Sequence, residues 1–204
     1  MSQPAIAVAD TRHVPPINKR IPITALRAGL ITPQLIVFTG LPGSGKSSLA
    51  EAAARELGIP VFAKDWLEAT LIHCELRPAQ NGPPLGSAGY QLLTTLAEGQ
   101  LRLGQSVILD SVASTLSIRA EWRALAQAYQ AEWRVIECIC SNAAAHRDRL
   151  GVRQRGIPGW HELDWSEVER VRAYYAPWNE ERLILDAVNP LEENIAAALR
   201  YLRA

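Results

Sequence analysis

The chain predicts an α/β fold, a three-layer α/β/α sandwich around a five-stranded parallel sheet, and three observations predict it. Short apolar runs alternate with helical stretches from residue 35 onward, an order that gives right-handed crossovers and a parallel sheet. A glycine-rich turn separates the first apolar run from the first helical stretch, in LIVFTGLPGSGKSSLA at 35–50. The length, 204 residues, suits one such domain with a substantial core.

The glycine-rich turn fits G-x-x-x-x-G-K-[ST] through Gly40, Gly45, Lys46 and Ser47, and it sits between strand and helix signals, the context that gives the pattern meaning. Glycines let successive backbone N–H groups turn toward one anion, while the following helix presents its positive end to the same point. The expected nucleotide-binding residues are Gly40, Gly43, Ser44, Gly45, Lys46, Ser47 and Ser48. Lys46 would reach the β- and γ-phosphates of ATP, and the Ser47 hydroxyl would hold Mg²⁺.

Ahead of this loop, residues 1–34 carry five prolines without sustained periodicity and read as an extension, with a short helix in ITALRAGL. The domain proper is expected over 35–204. After the loop, GKSSLAEAAARELG reads as a helix of strong formers stopping at Gly58, and IPVFA as a short buried strand. Asp65 follows that strand at the end where open parallel sheets bind ligands, and it also opens a helix, so a ligand-site acid and an N-cap are both open readings. Residues 76–89 are rich in proline and glycine and predict a rim loop, with Ser87 able to cap the next helix.

SVILD at 106–110 predicts a third strand ending in an acid. Asp110 there would either face Ser47 and support Mg²⁺ through water or be an ordinary loop acid. In the helix over 115–131, Ile118, Trp122, Leu125, Ala126 and Tyr129 fall on one face and predict core packing. WRVIECIC at 133–140 is the fourth strand, with Cys138 and Cys140 on one face. Arg147, Arg149, Arg153 and Arg155 then crowd into SNAAAHRDRLGVRQRG. Arg149 and Arg153 are four apart, hence predicted on one helical face, as a solvated face or as a lid over transferring phosphate spanning about 141–163. A helix capped near Asp164 follows, with Trp160 and Trp165 either closing on a ligand or packing. LILD is the fifth strand, the turn after it is the expected resting place of adenine, and Pro190 is predicted at the first position of the last helix.

Composition narrows the partners. Lys plus Arg equals Asp plus Glu at 21 each, which gives no sign of a nucleic-acid or anionic-membrane partner. The three cysteines have neither the number nor the spacing of a disulfide framework or zinc site and read as buried small hydrophobes. No apolar run approaches about 18 residues and the N-terminus lacks a signal-peptide order, so a cytoplasmic protein is expected.

Elimination narrows the chemistry. A guanine-reading Asn-Lys-x-Asp after the fourth strand is missing, which disfavours a GTPase; Ser111 stands where motor ATPases place a water-activating Glu. A kinase remains, with an acceptor hydroxyl in place of water and lid arginines compensating charge. GLPGSGKSS, the acid after the second strand, VILDS, the arginine run and LILDAVNPLEEN together resemble the small phosphate-loop kinases grouped with zeta toxins, chloramphenicol phosphotransferase and gluconate kinase, over about 35–203. That resemblance implies that Asp65 is the base on the acceptor hydroxyl, beside Lys46, Arg149 and Arg153 as catalytic residues. LRPAQNGPPLGSAGY matches no substrate signature of the group. The expected function is therefore transfer of the γ-phosphoryl of ATP to a hydroxyl of a small molecule; an ATP-binding regulator without phosphotransfer and a polynucleotide 5′-hydroxyl kinase are the alternatives.

Overall fold

The computed structural model describes residues 32–76 and 85–204. The extension up to residue 31, with its expected short helix, and residues 77–84 of the expected rim loop lie outside the described residues.

The sheet is assembled from β1 (Gln34–Thr39), β2 (Val61–Ala63), β3 (Val107–Asp110), β4 (Glu132–Ile139) and β5 (Leu183–Asp186), in the order β2-β3-β1-β4-β5. All four neighbouring pairs are parallel, so β1 is central, flanked by β3 (Val37 opposite Leu109) and β4 (Val37 opposite Val135). The period of two along β1 explains the layers. Leu35 and Val37 face the helices α3 (Leu85–Arg102) and α4 (Leu116–Ala128), packing with Leu93, Leu101 and Trp122. Ile36 and Phe38 face α1 (Lys46–Leu57) and α7 (Leu191–Arg203), packing with Leu49, Ala53 and Leu202. Both faces of the central strand are covered, which is why it reads as a continuous apolar run.

The remaining helices, α2 (Lys64–His73), α5 (Ala143–Val152) and α6 (Trp165–Tyr174), follow the C-terminal ends of β2 and β4. Gly58 ends α1 in the left-handed conformation, and the Asp164 side chain caps α6 by accepting from the Glu167 N–H, both as expected. The face predicted for α4 is the one that packs inward, with Ile118, Trp122 and Ala126 buried and Leu125 and Tyr129 against the same cluster. No helix among the described residues is long and apolar enough to cross a membrane.

Several local expectations are corrected. α3 begins at Leu85, so Ser87 lies inside it and is not its cap. The N-cap of α2 is Ala63, which offers no side-chain bond, and Asp65 is the second residue of that helix. Pro190 caps α7 from one position before its first turn. Of the cysteines only Cys138 is buried; Cys74 is exposed, and Cys140 lies beyond the end of β4. Finally, α5 stops at Val152, with Arg153 in extended conformation, so Arg149 and Arg153 do not share a helical face.

Candidate active site

The phosphate loop joins β1 to α1, and its conformation requires its glycines. Gly40, Gly43 and Gly45 have φ of 138°, 80° and 86°, a region that penalises side chains. A Cβ at Gly40 would also stand 2.1 Å from the carbonyl oxygen of Cys138 on β4. The loop's backbone is thereby wedged against the central strands, with Lys46 at the start of α1 directed into it. Ser44 is buried, Ser47 half-buried and Ser48 exposed on the first turn of α1. The Ser44 hydroxyl has no hydrogen-bond partner among the described residues.

Asp110 ends β3 beside this loop and is 4% exposed. Burial pushes its carboxyl up, while the Lys46 ammonium and a hydrogen bond from the Ser47 hydroxyl pull it down. Its Oδ1 is buried and unpartnered among the described residues, an orphan that a hydrated cation would satisfy. Burial in turn lowers Lys46 to about 8, against the attraction of Asp110 and with the help of Arg153 and Arg155. No group of three acidic, His or Cys residues among the described residues could hold a metal by itself. Ser47 with Asp110 fits a magnesium ion held largely by phosphate oxygens and water, because magnesium keeps several of its waters.

The arginine run separates into distinct roles. Arg149 donates to the carbonyl oxygen of Ala187, in the turn after β5 where adenine is expected. Arg153 is half-buried and makes no ion pair among the described residues; burial lowers its pKa, opposed first by Asp110 and then by Glu162. Arg155 pairs with the Asp65 carboxylate, and its second terminal nitrogen lies 3.4 Å from the Ser47 hydroxyl. Arg147 stacks over the Trp165 ring at 4.5 Å, outside this cluster.

Asp65, Lys46 and Arg153 line one cavity of about 390 Å³, beside the phosphate loop. The same cavity is also lined by Lys64, Glu68, Tyr90 and Trp160. Lys64 and Glu68 form an ion pair one helical turn apart, and Lys64 lies 5.1 Å above the Tyr90 ring. The glycines of α3 make room for that pair: a Cβ at Gly89 would lie 3.3 Å from Lys64 Cγ. Trp160 places a buried Nε1 donor, without a partner among the described residues, at the same cavity. Sequence reasoning missed Lys64, Glu68 and Tyr90, although the i,i+4 spacing of the first two was visible.

It also missed His146, which is 2% exposed and sets its Nε2 2.7 Å from the Pro42 carbonyl oxygen in the phosphate loop. The Trp165 ring meets His146 edge-on, at 5.2 Å and 86°. Trp165 therefore packs on α5, whereas Trp160 lines the cavity.

The sequence pattern of the family described as AAA domain matches residues 35–178, more than half of the chain. The chain belongs to that family. No curated protein matches it in sequence. In structure, this AAA domain is similar to a gluconokinase from Sinorhizobium meliloti 1021, with a TM-score of 0.62 and 19% identity over 85% of this chain and 94% of the other. It is also similar to the Mycobacterium tuberculosis APS kinase CysC in complex with AMPPNP and APS, with a TM-score of 0.60 and 20% identity over 86% and 100%. A third likeness is to Chaetomium thermophilum Kti12 in complex with ADP-AlF3, with a TM-score of 0.62 and 19% identity over 83% and 97%. At these identities the likeness is one of fold, and the resemblance to small phosphate-loop kinases holds at that level for the AAA domain.

Proposed function

We propose that the protein is a phosphotransferase that moves the γ-phosphoryl of ATP to a hydroxyl of a small molecule. One observation carries this reading: the acid Asp65 shares one cavity with Lys46 and with Arg153, which has no ion pair among the described residues, next to the phosphate loop. A water-activating Glu beside Asp110 is replaced by Ser111, which favours an organic hydroxyl over water as acceptor. The gluconokinase and APS kinase folds support the same class of reaction.

In the proposed step the acceptor oxygen bonds to the γ-phosphorus as the bond from that phosphorus to the β–γ bridging oxygen breaks. Asp65 takes the hydroxyl proton, and ADP leaves with the electron pair. Lys46 and the loop N–H groups hold the phosphates, and Arg153 compensates the charge on the group in transit. Magnesium, held by Ser47 and, through water, Asp110, would supply neutralisation of the β- and γ-oxygens. Lys64, Glu68, Tyr90 and Trp160 would orient the acceptor, offering donors and acceptors of hydrogen bonds around one hydroxyl-bearing molecule.

The test is ADP release across a broad panel of small hydroxyl compounds, with Lys46→Ala as the inactive control. A compound-dependent rise that Lys46→Ala abolishes supports the proposal. A second reading, an ATP-binding regulator without phosphotransfer, is favoured by the Arg155 contact that engages the carboxylate of Asp65, and by the fold of Kti12. ADP binding without any compound-dependent release would select it. Phosphorylation of a 5′-hydroxyl oligonucleotide, with affinity falling steeply as salt rises, would select a polynucleotide kinase instead.

A further inference from the structure

Arg155 stands three residues past the end of α5, and its side chain is 8% exposed. Its position is fixed twice: its backbone N–H donates to Glu162 Oε1 at 2.8 Å, and its guanidinium pairs with Asp65. The same guanidinium reaches the Ser47 hydroxyl at 3.4 Å. A permanent cation thus spans the second residue of α1 and the second residue of α2. Ser47 is also the hydroxyl that would hold magnesium, with the orphaned Asp110 Oδ1 as the other oxygen of that corner.

Two cations cannot share this hydroxyl. Magnesium binds oxygen at about 2.1 Å, so an ion on Ser47 would lie within about 5 Å of the guanidinium, where burial weakens screening. Arginine has no acceptor and does not lose its charge, so the conflict is resolved only by displacement.

We propose that Arg155 is a positioning residue that fills the cation place between Ser47 and Asp65 in the free protein and is displaced from Ser47 when magnesium nucleotide binds. Arg155 and magnesium therefore compete for one hydroxyl, and release of Asp65 is tied to arrival of the metal. The acid that would accept the acceptor's proton stays neutralised until the phosphates are in place. This rests on the nucleotide reading of the phosphate loop, but its readout is binding and not turnover.

The experiment is calorimetry of ADP binding to the full chain, in EDTA and in saturating Mg²⁺, for wild type, Arg155→Gln and Arg155→Lys. The quantity read is the ratio of the two dissociation constants. Arg155→Gln should increase the gain from magnesium by about tenfold, since one buried like charge has gone, while Arg155→Lys keeps the wild-type ratio. An unchanged ratio in Arg155→Gln, or the same ratio change in both variants, overturns the proposal. Absence of ADP binding by wild type in either condition overturns the nucleotide reading, and this inference with it. For the case in which Arg155→Gln fails to fold, the wild-type guanidinium NMR signal, assigned by its loss in Arg155→Lys, gives the same decision. It should shift on addition of magnesium with ADP and stay in place with ADP in EDTA; the opposite pattern overturns displacement.

Discussion

His146 Nε2 lies 2.7 Å from the Pro42 carbonyl oxygen, so α5 is fastened to the phosphate loop by one buried hydrogen bond. Burial holds the imidazole below its usual pKa, and a carbonyl can only accept, which places the proton on Nε2. The same contact explains a glycine at position 43, where a Cβ would stand 3.0 Å from His146 Nε2. His146→Phe keeps the ring and loses the bond. It should cost about 1 kcal/mol in denaturant unfolding and weaken ATP binding severalfold. A stability loss with unchanged ATP affinity would show that the contact supports the fold alone.

Lys46 titrates at about 8 in the free protein. Its folded pKa is depressed, so between about 8 and its ordinary 10.5 the folded chain binds fewer protons than the unfolded chain. The ligand-free fold therefore gains stability as pH rises through that window, while the site loses its charge. Phosphate brings negative charge to Lys46 and restores its proton. Nucleotide binding at pH 8 should take up about half a proton, and affinity should fall at higher pH. Calorimetry in two buffers of different ionisation enthalpy measures the uptake; none at pH 8 would mean that Lys46 is already fully charged.

What could be read from sequence follows from where the periodicity is strict. β1 was legible because both of its faces are covered, and Asp110 because a buried strand ended in an acid. The shared helical face expected of Arg149 and Arg153 was not borne out, because a helical period was carried past Val152, where Gly151 and the β-branched Val152 weaken the helix. With the helix ended at Val152, Arg149 bonds to Ala187 while Arg155 reaches Ser47 on α1. His146 was hidden in a charged run. Its only sign was its spacing of four from Leu150, the other buried residue of α5. Lys64, Glu68 and Tyr90 were obscure because α2 and α3 meet only in three dimensions, through glycines 86 and 89.

The separate places of Arg149, at Ala187, and Arg153, at the cavity, give a paired prediction. Arg153→Ala should lower turnover at saturating ATP by on the order of 10³, the range for an arginine that compensates phosphoryl charge. Arg149→Ala removes a bond to the Ala187 carbonyl in the turn after β5. It should raise KM for ATP and leave kcat nearly intact. Steady-state kinetics separates the two, and equal losses of kcat would return Arg149 to the phosphate side.

Asp65 provides the last and most decisive variant. It lies in the first turn of α2 without capping it, so within that helix Asp65→Asn costs only a favourable interaction of charge with the N-terminus, worth about 0.5 kcal/mol at a partly exposed site. The substitution also keeps the shape of the group that meets Arg155 while removing its negative charge. If Asp65 takes the acceptor's proton, phosphotransfer per folded molecule should fall by roughly 10² or more while ADP binding with magnesium persists. If Asp65 serves only to hold Arg155, Asp65→Asn should alter the magnesium dependence of ADP binding and leave turnover at saturating magnesium near wild type. The two roles therefore separate in one variant, by comparing turnover at saturating magnesium with nucleotide affinity at limiting magnesium.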